Sequence, residues 1–142
     1  MKKTISLFIM AILVLAVTSC KKSITGAEKD SVLSYSEAIA DGILKGYNNG
    51  DYALYSKDFD EQMKNALPEK VFKQTSEIIA SKTGKYISRK LSDIYRQNQM
   101  IVIIYDGKFE KEDKVEIKLV LQKFGDKNLV SGLWFNSPKL RQ

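Results

Sequence analysis

The chain has 142 residues, 23 basic against 17 acidic, with one cysteine and no histidine. Without histidine, Ser–His and Cys–His nucleophile systems are excluded and the commonest transition-metal ligand is missing. A single cysteine, Cys20, rules out an intrachain disulfide and a cysteine metal site, so nothing in the composition calls for a cofactor. The length suits one domain. The charges are mixed in sign along the chain, with no clustered basic face interleaved with aromatics, so nucleic acid is not an expected partner.

Residues 1–19 read as an export signal. Lys2 and Lys3 make a charged start, Ile5 to Val17 form an apolar run broken only by Ser6, and small residues precede Cys20. The run falls short of the roughly 20 apolar residues of a membrane span. The competing reading is an uncut anchor helix, against which Lys21 and Lys22 follow at once. Val17-Thr18-Ser19-Cys20 resembles the lipobox of prokaryotic lipoproteins, with Val17 where Leu is commoner and Ser19 where Gly or Ala is commoner. The resemblance implies a diacylglyceryl group on the Cys20 thiol and cleavage just before it. The cell envelope, on the extracytoplasmic side of a membrane, is then the expected location and the membrane an expected partner. Two acyl chains, at about 0.8 kcal/mol per buried methylene, anchor stably where one does so marginally. Lys21 and Lys22 would add about 1 kcal/mol each near anionic headgroups.

Cleavage leaves 123 residues with a net charge of +4. Residues 20–29 are polar and aperiodic and read as a lipidated, flexible tether; residues 30–142 read as one domain. A helix is expected from Asp30 or Ser31, with Val32, Tyr35, Ile39, Ile43 and Tyr47 in one stripe. Gly42 and Gly46 on it invite close approach by a neighbour, and Asn48-Asn49-Gly50-Asp51 ends it. Tyr52 to Leu67 is helical in patches, with a cap at Asp60. Asp58, Asp60 and Glu61 lack the ligand register of a calcium loop and suit helix capping. Pro68 opens a helix to about Lys82, on which Val71, Phe72, Thr75, Ile78, Ile79 and Lys82 share a face, and Thr83-Gly84 closes it.

From Lys85 the period changes to two. Lys85 to Arg96 reads as a strand with Ile87, Leu91 and Tyr95 spaced by four. Met100 to Tyr105 is continuously apolar, as in a strand covered on both faces. Val115, Ile117, Leu119 and Leu121 alternate with polar residues, and Leu129 to Phe135 makes the last strand. Short turns force antiparallel neighbours, so the expectation is an α+β fold: N-terminal helices packed on a curved four-stranded antiparallel meander.

This order resembles the nuclear-transport-factor-like, or cystatin-like, cone. The stretches Asn49 to Tyr52, Tyr55 to Leu67, Gly84-Lys85-Tyr86 and Val130 to Phe135 further resemble a family of prokaryotic exported domains of unknown function. The resemblance implies a fold and carries no activity. A cone commonly leaves an apolar pocket between sheet and helices; Tyr35, Phe72, Tyr105 and Trp134 are the candidate lining, with Val130 and Gly132 sharing the face of Trp134. Two functions compete. One is a non-catalytic binding or assembly module, taking a small molecule, a protein or a second copy of the chain on the open sheet face, with Met100 to Tyr105 at the interface. The other is a histidine-free isomerase or dehydratase working through a buried carboxylate and a tyrosine. Asp106 beside Tyr105 is the nearest such pair, but adjacent strand residues face opposite ways.

Overall fold

The computed structural model describes residues 20–142; residues 1–19, read above as an export signal, lie outside them. The elements run β1 (Lys21–Ser23), α1 (Gly26–Asn49), α2 (Tyr52–Tyr55), α3 (Glu61–Ala66), α4 (Glu69–Thr83), β2 (Tyr86–Gln97), β3 (Met100–Phe109), β4 (Glu112–Phe124) and β5 (Lys127–Asn136). The fold is α+β, helices before an antiparallel sheet ordered β1-β2-β3-β4-β5.

The sheet has five strands where four were expected, because the residues read as a tether pair with β2. Lys21, Lys22 and Ser23 stand opposite Gln97, Arg96 and Tyr95. The Ile24 amide donates to the Ile94 carbonyl at 3.3 Å and the Ile24 side chain is buried. Lys21 seals the strap on the other face: its Nζ sits 2.8 Å from Asp93 Oδ2 and 3.9 Å from the centre of the Tyr95 ring. Three residues among polar neighbours show no periodicity, so pairing partners alone make this a strand. The helix also starts earlier than expected, at Gly26.

Along α1, Val32, Ser36, Ile39, Ile43 and Tyr47 recur at intervals of three or four and are buried on the face toward the sheet. Gly50, at φ 65°, closes the helix in the left-handed conformation. Asp51 then caps α2, its Oδ1 accepting from the Leu54 amide at 3.0 Å. The tight reversal brings α2 onto α1 at Gly46, where an added Cβ would lie 2.5 Å from the Tyr55 nitrogen and 2.8 Å from the Asp51 oxygen. Close approach was expected at both helix glycines; at Gly42 the nearest atom, Leu54 Cδ1, is at an ordinary 3.8 Å. Tyr52, Tyr55 and Phe59 join Phe72 of α4 in an aromatic cluster with centroids 4.4 to 5.6 Å apart. Ile78, expected on the inner face of α4, is exposed.

Irregularities in the strands set which residues face inward. In β2 the register shifts between Tyr86 and Ser88 and again between Leu91 and Asp93. Ile87, Leu91 and Tyr95 therefore do not share a face: Ile87 is 55% exposed, Leu91 packs on the main core, and Tyr95 joins Val102 and Val120 on the outer face. In β5 the partners of Val120 and Leu121 are Gly132 and Val130, so Ser131 is the extra residue of a bulge. Val130 turns into the core while Gly132 and Trp134 turn outward, which overturns the expectation that the three share a face. The Trp134 ring lies over Gly132, where any side chain would collide with it, and Lys118 stands 5.3 Å from the ring centre.

Two glycine substitutions on one helix should have opposite signs. Gly46→Ala drives a methyl into backbone and should cost about 1–3 kcal/mol. Gly42→Ala makes only ordinary contacts, at 3.8 Å or more, and should gain about 0.5–1 kcal/mol from helix propensity. Urea unfolding of the two variants beside the parent chain measures both; a stabilised Gly46→Ala would contradict the packing described.

Candidate functional site

The expected inner pocket is closed. Ala40, Ile43 and Leu44 of α1 meet Tyr105, Ile117, Leu119 and Leu133 of the sheet around a void of about 10 Å³, at the limit of what holds one water. The four candidate lining residues do not gather there. Phe72 is buried in the aromatic cluster under α2, Tyr105 closes the void, Trp134 is 54% exposed on the outer face, and Tyr35 lies at the far end of α1.

Tyr105 meets a carboxylate, but not that of Asp106. Its hydroxyl donates to Glu37 Oε1 at 2.8 Å. Asp106, one residue along the strand, turns away and lies 3.4 Å from Lys114 Nζ. The guanidinium of Arg89 occupies the space between α1 and β2, with Nη1 2.7 Å from Asp41 Oδ1 and Nη2 on Glu37. It also stands 5.1 Å from the Tyr105 ring centre. Burial lowers the Arg89 pKa, but its hydrogen bonds to Asp41, Tyr86 and Glu37 outweigh this and raise it. Burial first, then the hydrogen bond to Glu37, pushes the Tyr105 hydroxyl well above the usual tyrosine range. A charged fork on two carboxylates fixes the helix to the sheet. No spacing rule pairs Glu37 with Tyr105, 68 residues apart; only the seat of α1 against β3 brings them together.

A concavity of about 400 Å³ lies beside Asp41, Asn48 and Tyr86, and two more lie at the other end of the sheet, where the β2–β3 and β4–β5 hairpins turn. One, of about 350 Å³, runs between the first turns of α1 and both hairpins. Val32, Tyr35, Ile101 and Leu121 form its apolar wall and Glu28, Arg96, Lys123 and Asp126 its charged rim. Arg96 Nη2 is 2.8 Å from Glu28 Oε1. Burial raises the Tyr35 pKa, Arg96 opposes the rise and Glu28 adds to it. Its volume lies at the lower end of the range usual for small-molecule sites, roughly 300–1,000 Å³. The second concavity, about 500 Å³, lies between the α2–α3 loop and the β4–β5 hairpin, with Phe59, Lys64, Phe124 and Leu129 in its lining. Of the four residues singled out in the sequence, Tyr35 alone lines either one.

The acidic stretch at Asp58 has structural work. Asp60 caps α3, its Oδ1 accepting from the Met63 amide at 2.8 Å, and its Oδ2 accepts from the bulged Ser131 hydroxyl at 2.7 Å. The Val130 amide donates to the Asp58 carbonyl at 2.8 Å and the Asp60 amide to the Val130 carbonyl at 3.0 Å, so Phe59 pairs with Val130 and covers the β5 edge. Among the described residues no group of three or more His, Cys, Asp or Glu side chains converges as a metal site.

Asp60→Ala removes a cap and leaves Ser131 short of its acceptor, so a loss of about 1–3 kcal/mol is expected in urea unfolding. Alkali should also unfold the domain. Burial raises the pKa of Tyr47, Tyr55 and Tyr105; such groups contribute full stability below their unfolded value near 10 and lose it as pH rises through the folded values. The urea midpoint should fall above about pH 10, while absorbance at 295 nm shows only part of the seven tyrosines ionising before unfolding. Complete tyrosine ionisation in a still-folded chain would contradict this.

A search of the curated proteins finds no match for this chain. A family profile described as protein of unknown function (DUF3887) matches residues 40–130, from the middle of α1 to the bulge of β5. That span holds the Gly46 contact, the Asp60 cap and the Arg89 fork on Asp41. By this match the chain belongs to the DUF3887 family of proteins of unknown function.

Proposed function

We propose that this protein is a lipid-anchored, extracytoplasmic binding module built on a nuclear-transport-factor-like cone, and that it does not catalyse. The observation that carries the reading is the 350 Å³ cleft at the hairpin end, with an apolar wall around Tyr35 and charges of both signs on its rim. Such a lining orients an amphiphilic small molecule or a short peptide through paired charges, and the apolar wall supplies affinity. The carboxylate–tyrosine pair that a histidine-free isomerase would use, Glu37 with Tyr105, is engaged by Arg89, and the void that Tyr105 lines, about 10 Å³, is too small for a substrate. That arrangement favours binding over chemistry. A second reading, assembly through the outer sheet face, is favoured by the exposed Trp134 near the Tyr95, Val102 and Val120 cluster.

Native mass spectrometry of the chain from Cys20 onward, purified from its own host without denaturation, tests the proposal. Starting later would remove β1 and the buried Ile24. A retained small molecule that is lost in Arg96→Ala is the expected outcome. A parent chain that emerges empty, or a ligand indifferent to Arg96→Ala, would overturn the cleft as the site, and an empty dimer would favour the outer face. The anchor has its own test: a fatty-acid analogue should label the full chain and not Cys20→Ala.

A further inference from the structure

Cys20 immediately precedes β1, so an anchor on it has no slack. The pairing brings Lys22, Arg96, Ile101 and Leu121 abreast in one row across β1 to β4. Counted along the strands from that row, Cys20 lies two residues further toward the hairpin end, and Phe124 three. At about 3.3 Å per residue the two lie at nearly the same height, with Phe124 about 3 Å further out. Three strand spacings separate them sideways, about 14 Å. A membrane reached from Cys20 is therefore reached by the β4–β5 hairpin as well.

That hairpin carries what an interface requires. Phe124 is 45% exposed at its turn, between exposed Lys123 and Lys127, with Lys22 beside Cys20. Asp126 shares the turn, so the local excess of positive charge is small and the aromatic ring supplies the main attraction. Of the large apolar side chains exposed among the described residues, Ile78, Ile87 and Trp134 belong to α4, the opposite end of β2, and the outer sheet face. We propose that the anchored domain docks on the lipid bilayer through the β4–β5 hairpin, with Phe124 at the boundary of headgroups and acyl chains and Lys22, Lys123 and Lys127 over anionic headgroups. The proposal rests on the anchored reading given above. It goes further by fixing the orientation: the charged rim of the cleft, with Lys123 and Asp126, faces the bilayer, so its ligand enters beside the membrane surface.

The test attaches the chain from Cys20 to Gln142, which holds the whole core, to vesicles through its single thiol. A maleimide lipid in phosphatidylcholine–phosphatidylglycerol vesicles supplies the anchor chemically. In a Trp134→Phe background, Phe124→Trp and Ile87→Trp variants each report one end of the sheet. Brominated acyl chains should quench the Phe124→Trp emission at least twofold and leave the Ile87→Trp emission unchanged. Equal quenching of the two would overturn the orientation. An unquenched Phe124→Trp would overturn the docking and leave the hairpin free for a protein partner. Because the tether is chemical, absence of fatty-acid label in cells would refute the anchor without altering this result, and failure of quenching would leave the anchor untouched.

Discussion

The seat of α1 on the sheet is the constraint on which everything else depends. One face of this helix packs on the sheet, and the contact buries Ile39, Ile43, Leu44 and Tyr47 against Ile103, Tyr105, Ile117 and Leu119. At about 25 cal/mol per Å² of apolar surface, burial on this scale is the main term opposing chain entropy. Arg89 then sets the helix's position along the sheet. Its buried guanidinium is compensated by Glu37 and Asp41, two carboxylates one helical turn apart, so a slide of the helix would strand the charge. Tyr47, stacked near Phe135 and edge-on to Phe109, anchors the other end through its hydroxyl on the Gly84 carbonyl at 2.9 Å.

An extra residue in a strand bends it locally and re-aims the side chains beyond. Each bulge in β2 and β5 reverses the alternation beyond it. The reversal lets Arg89 and Leu91 point at α1 while Tyr95 points away. The two edges are closed differently. β1 is only three residues long and two are lysines, which makes it a poor template for further pairing. β5 is covered by Phe59, which the capped start of α3 holds in place.

The same packing decides where a ligand has room. Packing α1 against the sheet leaves a void of only about 10 Å³ between them, so room for a ligand lies outside that layer, as in the cleft at the hairpin end where the helix has just begun. The N-terminal strap brings Cys20 to that end. Cys20, cleft and hairpin share that end because β1 pairs antiparallel with the last residues of β2.

Much of this was legible in the order of residues. Apolar spacing located α1 and the four long strands, and local chemistry located the breaks, because Asp51 and Asp60 cap within three residues and Gly50 needs only its own conformation. The lack of histidine limited the chemistry before any fold was known. Local signals could not reveal long-range partners. Lys21 to Ser23 became a strand only because β2 offers a free edge, and Ser131 became a bulge because Asp60, 71 residues earlier, accepts its hydroxyl. Trp134 was expected to share an inward face with Val130, an alternation that holds only in an unbulged strand. Glu37 escaped notice beside Tyr105 because nothing in a sequence records which helix turn faces which strand. Residue type and spacing specified the elements; which face each residue shows, and which residues meet, depended on bulges and edges that exist only once the sheet is built.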